Sequence, residues 1–333
     1  MRLALNQGSG AGDRGPVRGA LLASALISMS VAFSAAAQPQ NFDNVQIQVL
    51  PVQGNVYMLA GAGGNITLQA GKDGVLMVDT EFAPLAPKIM AEIRKLSPGP
   101  VRYIINTHVH PDHVGGNDAF AKMIPQSPAA PLKIIAHENV LNRMTKPAGP
   151  QTPEAQPGLP LDEYFMPSKD LRFNGEAIII YHEPNAHTDG DSVVLFRGSD
   201  VVTAGDIFTP GGYPFLDRER GGSVQGEIAA LNHILNLTVP GHTQEGGTYV
   251  IPGHGRICDE ADVVEYRDMV VIIRDRIRDM IAKGMTLDQV KAARPSRDYD
   301  TEYVSKDSFV TADRFVEAVY KSLAENKNAK GAK

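Results

Sequence analysis

Four side chains able to bind a metal fall within the run Thr107-His108-Val109-His110-Pro111-Asp112-His113, namely His108, His110, Asp112 and His113. A strand is expected to end at residue 106. His108 and His110 flank a single residue there, so their imidazoles can turn to the same side. Asp112 and His113 follow in the turn and can address a neighbouring point. Two metal ions a few ångströms apart would satisfy both pairs. Gly115-Gly116 would then allow a tight turn into the next helix, whose N-terminal dipole favours an anionic site.

The elements that must position this cluster are readable from periodicity. Strands are expected at residues 45–50, 55–60, 65–70 and 75–78, separated by glycine-containing turns such as Lys72-Asp73-Gly74. Pro84 opens a helical pattern with Leu85, Ile89 and Ile93 at four-residue spacing, and Pro98-Gly99-Pro100 stops it before a strand at 101–106. A helix at 116–123, a strand at 133–136 and a helix at 137–144 follow. Residues 147–167 hold six prolines and little periodicity, which predicts a long surface loop, either a lid over a site or a segment without fixed structure. Strands are expected again at 177–182, 192–196, 201–204 and 249–251, with a helix at 224–237. From Asp259 onward Val263, Met269, Val270, Ile273, Ile277 and Ile281 form a helical apolar stripe. Thr286 and Ser308 are expected to cap two further helices.

Residues 107–117, Thr-His-Val-His-Pro-Asp-His-Val-Gly-Gly-Asn, resemble the metallo-β-lactamase superfamily and match its His-X-His-X-Asp-His signature. The resemblance covers roughly residues 45–256. It implies an α/β fold, a four-layer αβ/βα sandwich, with residues 257–333 as a C-terminal helical extension packed on the same domain. It also implies three later ligands, each expected at a turn after a strand. His187 lies in Asn185-Ala186-His187-Thr188-Asp189-Gly190-Asp191, Asp206 in Ala204-Gly205-Asp206, and His254 in Pro252-Gly253-His254-Gly255. Carried over position by position, the resemblance gives one metal to His108, His110 and His187 and a second to Asp112, His113 and His254, with Asp206 bridging. Carboxylate and imidazole ligands suit zinc, so two zinc ions are the expected cofactors. Asp79 ends a strand where the family shows an acid that could accept a hydrogen bond from a ligating imidazole, and an ordinary turn role is its alternative. His182 is the rival to His187, but it falls within a strand. Asp191 is expected to tie down the His187 loop. His137, His233 and His242 have no metal-like neighbours. Cys258 is the only cysteine, which excludes an intramolecular disulfide, and it reads as a small core residue.

The activity implied by the resemblance is hydrolysis by a metal-bound hydroxide that attacks a carbonyl of a lactam, thioester or lactone, with Asp112 orienting the nucleophile. The all-His/Asp ligand set looks more like the glyoxalase-II-type and lactonase-type branches than like β-lactamases with a ligating Cys. Residues 208–217 directly follow Asp206 and are expected to line one wall of the pocket, with Tyr213 and Phe215 either contacting substrate or packing. Arg218 and Arg220 could steer an anionic substrate. Three alternatives stay open: a periplasmic β-lactamase proper, a mononuclear iron sulfur dioxygenase using His108, His110 and Asp206 or His187, and a non-catalytic metal-binding partner protein.

Composition bounds these readings. The chain has 333 residues, 43% of them hydrophobic, which is enough for a substantial core. Its net charge of −6 and the lack of a dense Lys/Arg stripe argue against nucleic-acid binding and leave a small molecule as the expected partner. Arg2, Arg14 and Arg18 precede an apolar run at about 20–33 and the small residues Ala35-Ala36-Ala37. That order is expected of a signal peptide, residues 1–37, cut after Ala37, giving a periplasmic or secreted product without a membrane span.

Overall fold

Alternation of apolar side chains along the strands builds two sheets, each with a face for the other and a face for helices. The computed structural model describes residues 41–125, 128, 131–145, 158–242, 246–306 and 308–331. The expected signal peptide with its cut after Ala37, and most of the proline-rich loop, lie outside the described residues.

The first sheet has six strands in sequence order: β1 (Gln48–Gln53), β2 (Val56–Ala60), β3 (Ile66–Gly71), β4 (Gly74–Val78), β5 (Val101–Ile105) and β6 (Lys133–Ile135). Neighbours from β1 to β4 are antiparallel, and β4, β5 and β6 run parallel. Helix α1 (Ala86–Leu96) crosses from β4 to β5, and α2 (Pro111–Val114) and α3 (Asn117–Met123) stand between β5 and β6. After α4 (Glu138–Thr145) come β7 (Ser168–Phe173), β8 (Glu176–Glu183), β9 (Asp191–Phe196), β10 (Val201–Gly205), α5 (Val224–Leu237) and β11 (Tyr249–Pro252). These five strands form the second sheet in the order β11-β10-β9-β8-β7, in which β10 and β11 alone are parallel. The chain then continues through α6 (Glu260–Ala282), α7 (Leu287–Ala293), α8 (Asp300–Tyr303) and α9 (Ala312–Gly331).

Leu76 and Val78 of β4 point between the sheets, where they meet Ile105, Ile178, Ile180 and Val194. Val75 and Met77 of the same strand point the other way, into a cluster with Ile89 and Ile93 of α1 and Phe120 of α3. On the far side, Val193, Val202 and Val250 pack against Leu231 and Ile234 of α5 and Met269 and Ile273 of α6. The result is the four-layer αβ/βα sandwich. Phe315 and Val319 of α9 join that last cluster, so the C-terminal helices share a core with α5. Each such side chain contributes about 1.5–3 kcal/mol by leaving water.

Three local expectations change. Strand β7 is absent from the sequence reading because Ser168-Lys169-Asp170-Leu171-Arg172-Phe173 buries one residue, Phe173. It is the edge of its sheet, where charge keeps the strand from pairing with other chains. The helix expected at 116–123 is preceded by the separate turn α2, and Gly115 and Gly116 are both right-handed. Gly116 is required for closeness, not for handedness, since a Cβ there would overlap the Thr80 carbonyl oxygen. Thr286 does cap α7, in a capping box with Gln289, whereas Ser308 closes a turn with Ser305 and Thr311 accepts from the Arg314 amide in the first turn of α9.

Helix α6 starts with a second capping box, between Asp259 and Asp262. Replacing Asp259 with Ala is expected to cost about 1 kcal/mol. Urea titration checks this as a lower midpoint at unchanged slope. Among the described residues no helix is long and apolar enough to cross a membrane.

Candidate metal centre

The site forms where β5, β8, β10 and β11 end. Asp79 follows β4 in a left-handed conformation (φ 66°), which a non-glycine residue holds only when its surroundings fix it. Its buried carboxylate accepts from the Thr107 amide (2.8 Å), the Thr107 hydroxyl (2.6 Å) and His113 Nδ1 (2.7 Å). One acid thus anchors the start of the His cluster and its last member. Asp79 therefore takes the orienting place rather than that of a plain turn residue.

The same logic pins the other imidazoles. His108 Nδ1 lies 3.0 Å from Thr107 Oγ1, which gives its own proton to Asp79, so His108 donates there and turns Nε2 inward. That Nε2 is buried and has no hydrogen-bond partner. His187 donates from Nδ1 to the Phe215 carbonyl oxygen at 2.5 Å. His110 donates from Nε2 to Asp217 Oδ2 at 2.8 Å. The inner atoms, His110 Nδ1 and His187 Nε2, face each other at 2.9 Å, and two acceptor nitrogens that close require a cation or a proton between them. Outer hydrogen bonds of this kind fix the tautomer and ring angle of metal-binding imidazoles.

Asp206, at the end of β10, lies between two groups of ligand atoms. Its Oδ2 is 3.8 Å from Nε2 of both His108 and His187, and its Oδ1 is 3.1 Å from His113 Nε2 and 3.5 Å from His254 Nε2. His254 Nε2 is in turn 3.2 Å from Asp112 Oδ2. His108, His110, His187 and Asp206 form one group and Asp112, His113 and His254 another, with the atoms of each group within 4.8 Å of one another. All seven residues assigned from the resemblance come together. The orphaned His108 nitrogen, the facing His110 and His187 nitrogens and the central carboxylate fit metal ions.

Electrostatics agree with that fit. Burial, followed by the neighbouring imidazoles, holds His108 well below its usual pKa, and burial lowers His187 to about 4, so both are neutral ligands. Burial also disfavours a charged His113, but the Asp206 and Asp79 carboxylates outweigh it and raise its pKa well above the ordinary value. Asp206 is held well below the carboxylate range because His113 and His108 overcome its burial. Burial acts against the Asp112 carboxylate too, yet the hydrogen bond with His254 lowers its pKa.

Other candidates fall elsewhere. His182 stacks on His137 with ring centroids 3.5 Å apart and bonds through Nε2 to the Asp189 carbonyl oxygen, so it supports the His187 loop. Asp191 fastens that loop by accepting from the Thr188 amide and hydroxyl. His233 pairs with Glu183. Cys258 is buried, and burial raises its thiol to about 12, leaving it outside both ligand groups. Arg220 is bound to Asp217 at 2.7 Å and Arg218 to Glu325, and neither lines the pocket over the site. Tyr213 touches that pocket, but its ring stacks on Phe315 and its hydroxyl donates to Asp300 Oδ1 at 2.9 Å, so packing dominates. Phe215 lines the pocket and stacks on His110 with centroids 5.8 Å apart.

Sequence reasoning missed Asp217, the partner of His110. Its signal was present, an acid followed by Arg218 and Arg220 at the end of the stretch after Asp206. Asp217→Asn keeps the shape but loses the charge that orients His110, and is expected to weaken metal binding ~10–100-fold. Competition against a chromophoric chelator measures it. Gly64 was missed too, and a Cβ there would overlap the His113 ring.

Paired His/Asp ligand groups at the strand ends of an αβ/βα sandwich define a metallo-hydrolase type of centre. A family model described as the metallo-beta-lactamase superfamily matches residues 59–256, and the chain belongs to that superfamily. It is 24% identical over 258 residues to a linear primary-alkylsulfatase of Pseudomonas sp. (strain ATCC 19151), which covers 66% of this chain and 47% of that protein. The chain thus spans about half the length of this curated relative. Among solved structures it resembles the inverting sec-alkylsulfatase Pisa1 from Pseudomonas sp., with TM-score 0.63, 16% identity, 83% of this chain and 50% of that one covered. The DIM-1 metallo-β-lactamase gives TM-score 0.52 at 16% identity, covering 68% of this chain and 98% of that one.

Proposed function

We propose that the protein is an exported hydrolase that uses two zinc ions to cleave a carbonyl compound, an ester, thioester or lactam. The observation that carries this reading is Asp206, set between two groups of imidazoles whose outer nitrogens are mostly fixed by hydrogen bonds. His108, His110 and His187 would hold one ion and Asp112, His113 and His254 the other. When bound, such ions supply Lewis acidity and lower the pKa of water from 15.7 to about 7. Asp112 is a carboxylate on the pocket floor, able to orient the attacking water. Phe215 stacks on His110 and forms the pocket wall beside it. No Lys or Arg lines the pocket among the described residues, which favours an uncharged substrate over one recognised by a cationic side chain.

The similarity to alkylsulfatases favours a second reading, hydrolysis of an alkyl sulfate ester at the same centre. Metal content and a panel of nitrocefin, an acyl-glutathione thioester, a homoserine lactone, a p-nitrophenyl ester and an alkyl sulfate separate the two. Carbonyl turnover without sulfate release supports the first reading, and sulfate release alone replaces it with the second. His110→Ala is the control, and activity surviving that substitution unchanged would remove the centre from the reaction. One iron per chain with persulfide-dependent oxygen uptake would point instead to a dioxygenase.

A further inference from the structure

We infer that Phe309, which the C-terminal extension brings to the pocket rim, is a specificity-determining residue that receives an alkyl group of the substrate. This deepens the hydrolase reading of the same site.

A cavity of about 470 Å³ runs from His110, Asp206 and His254 out to Phe215, Phe309 and Val310. That volume falls in the range of small-molecule sites. Its inner end carries the ligand groups, and its outer walls are largely apolar. A substrate whose reacting group lies at the inner end must therefore direct an apolar part outward.

Phe309 is 65% exposed, an unusual state for so large an apolar side chain. It is nevertheless held in place. Its ring meets Phe215 edge-on with centroids 5.1 Å apart, and the Arg314 guanidinium sits 4.6 Å from its centroid. Its carbonyl oxygen accepts from Arg314 Nη1 at 2.6 Å, and the preceding turn is closed by the Ser305 amide donating to Ser308 Oγ at 2.7 Å. Phe215 in turn stacks on His110. The aromatic wall is thus continuous from a ligand residue to the rim, and its outer member is fixed before any substrate arrives. A preorganised apolar surface gains affinity in proportion to the hydrocarbon it covers, without ordering cost.

The chain has no tryptophan, so Phe309→Trp installs a single fluorescent reporter at the rim of the full-length protein. The probes are 1-butanol to 1-decanol, which are uncharged and not hydrolysable, and they are titrated with and without prior chelation. The expected result is a blue shift whose midpoint falls about three- to fourfold per added methylene until the cavity is filled. In parallel, Phe309→Ala is expected to lower the ratio of kcat/KM for p-nitrophenyl octanoate to that for the acetate on the order of tenfold.

Binding without chain-length dependence, or an unchanged octanoate-to-acetate ratio, would overturn the assignment. So would an emission shift that follows protein concentration in the absence of alkanol, which would assign Phe309 to self-association. Chain-length-dependent binding with no turnover of any ester leaves the alkyl subsite standing and removes the hydrolase reading. Turnover with no chain-length discrimination does the reverse.

Discussion

Asp206→Ala is expected to lower kcat/KM for the best substrate of the panel by ~10³-fold, about 4 kcal/mol of transition-state stabilisation. Bound metal should fall from two ions per chain to one or fewer. Among the described residues Asp206 is the one carboxylate within 4 Å of His108, His113, His187 and His254 together. Losing it would remove the negative charge set between the two groups and leave His108, His110 and His187 on one side and Asp112, His113 and His254 on the other with no shared carboxylate. The fold should survive, because Asp79 still accepts from His113 Nδ1 at 2.7 Å and pairs the buried ring without Asp206. Metal analysis and steady-state kinetics on the same preparation check both halves. Wild-type metal content and turnover would show that Asp206 is not shared between the groups.

Chelation should have a comparably large effect on stability. A ligand that binds only the folded chain at a free concentration 1,000 times its Kd stabilises it by about 4.1 kcal/mol. For a domain of this size that corresponds to a fall in Tm on the order of 10 °C when the metal is removed, reversed by adding zinc. The effect should also depend on pH. His113 has a raised pKa in the metal-free chain, so a metal must displace its proton, and affinity falls as pH is lowered. Asp206, whose pKa is depressed, stays ionised over the same range and does not compete in this way. The zinc-dependent rise in Tm should therefore be large at pH 8 and shrink progressively towards pH 6. Calorimetry with zinc and with a chelator measures it, and a Tm indifferent to both would mean that the centre holds no metal.

Part of this protein is legible without a structure because its chemistry is local. His108, His110, Asp112 and His113 lie within six residues of one another and just past the largely apolar strand β5, so their types and spacing already imply metal binding. The later ligands His187, Asp206 and His254 were reached through the resemblance, each at a turn after a strand. Most strands and the long apolar helices were also readable, because burial on both faces makes the central strands continuous apolar runs and burial on one face gives the helices a period of about 3.6. Strand β7 was not, since this edge strand buries one residue and carries charge at three of its six positions, which leaves no apolar run to read.

What only the tertiary structure decided is what lies outside these ligands. That His110 is oriented by Asp217, 107 positions away, and that Asp217 is in turn held by Arg220, depends on how two loops meet. It also turned Arg220 from a candidate for steering substrate into a support. Phe309 carries no sign in the sequence of its place beside Phe215, 94 positions earlier, because ring contacts between distant segments impose no period and no motif. A ligand cluster is specified by residue type along a short stretch of chain. The pocket around it is specified by packing, which the sequence determines only through the whole fold.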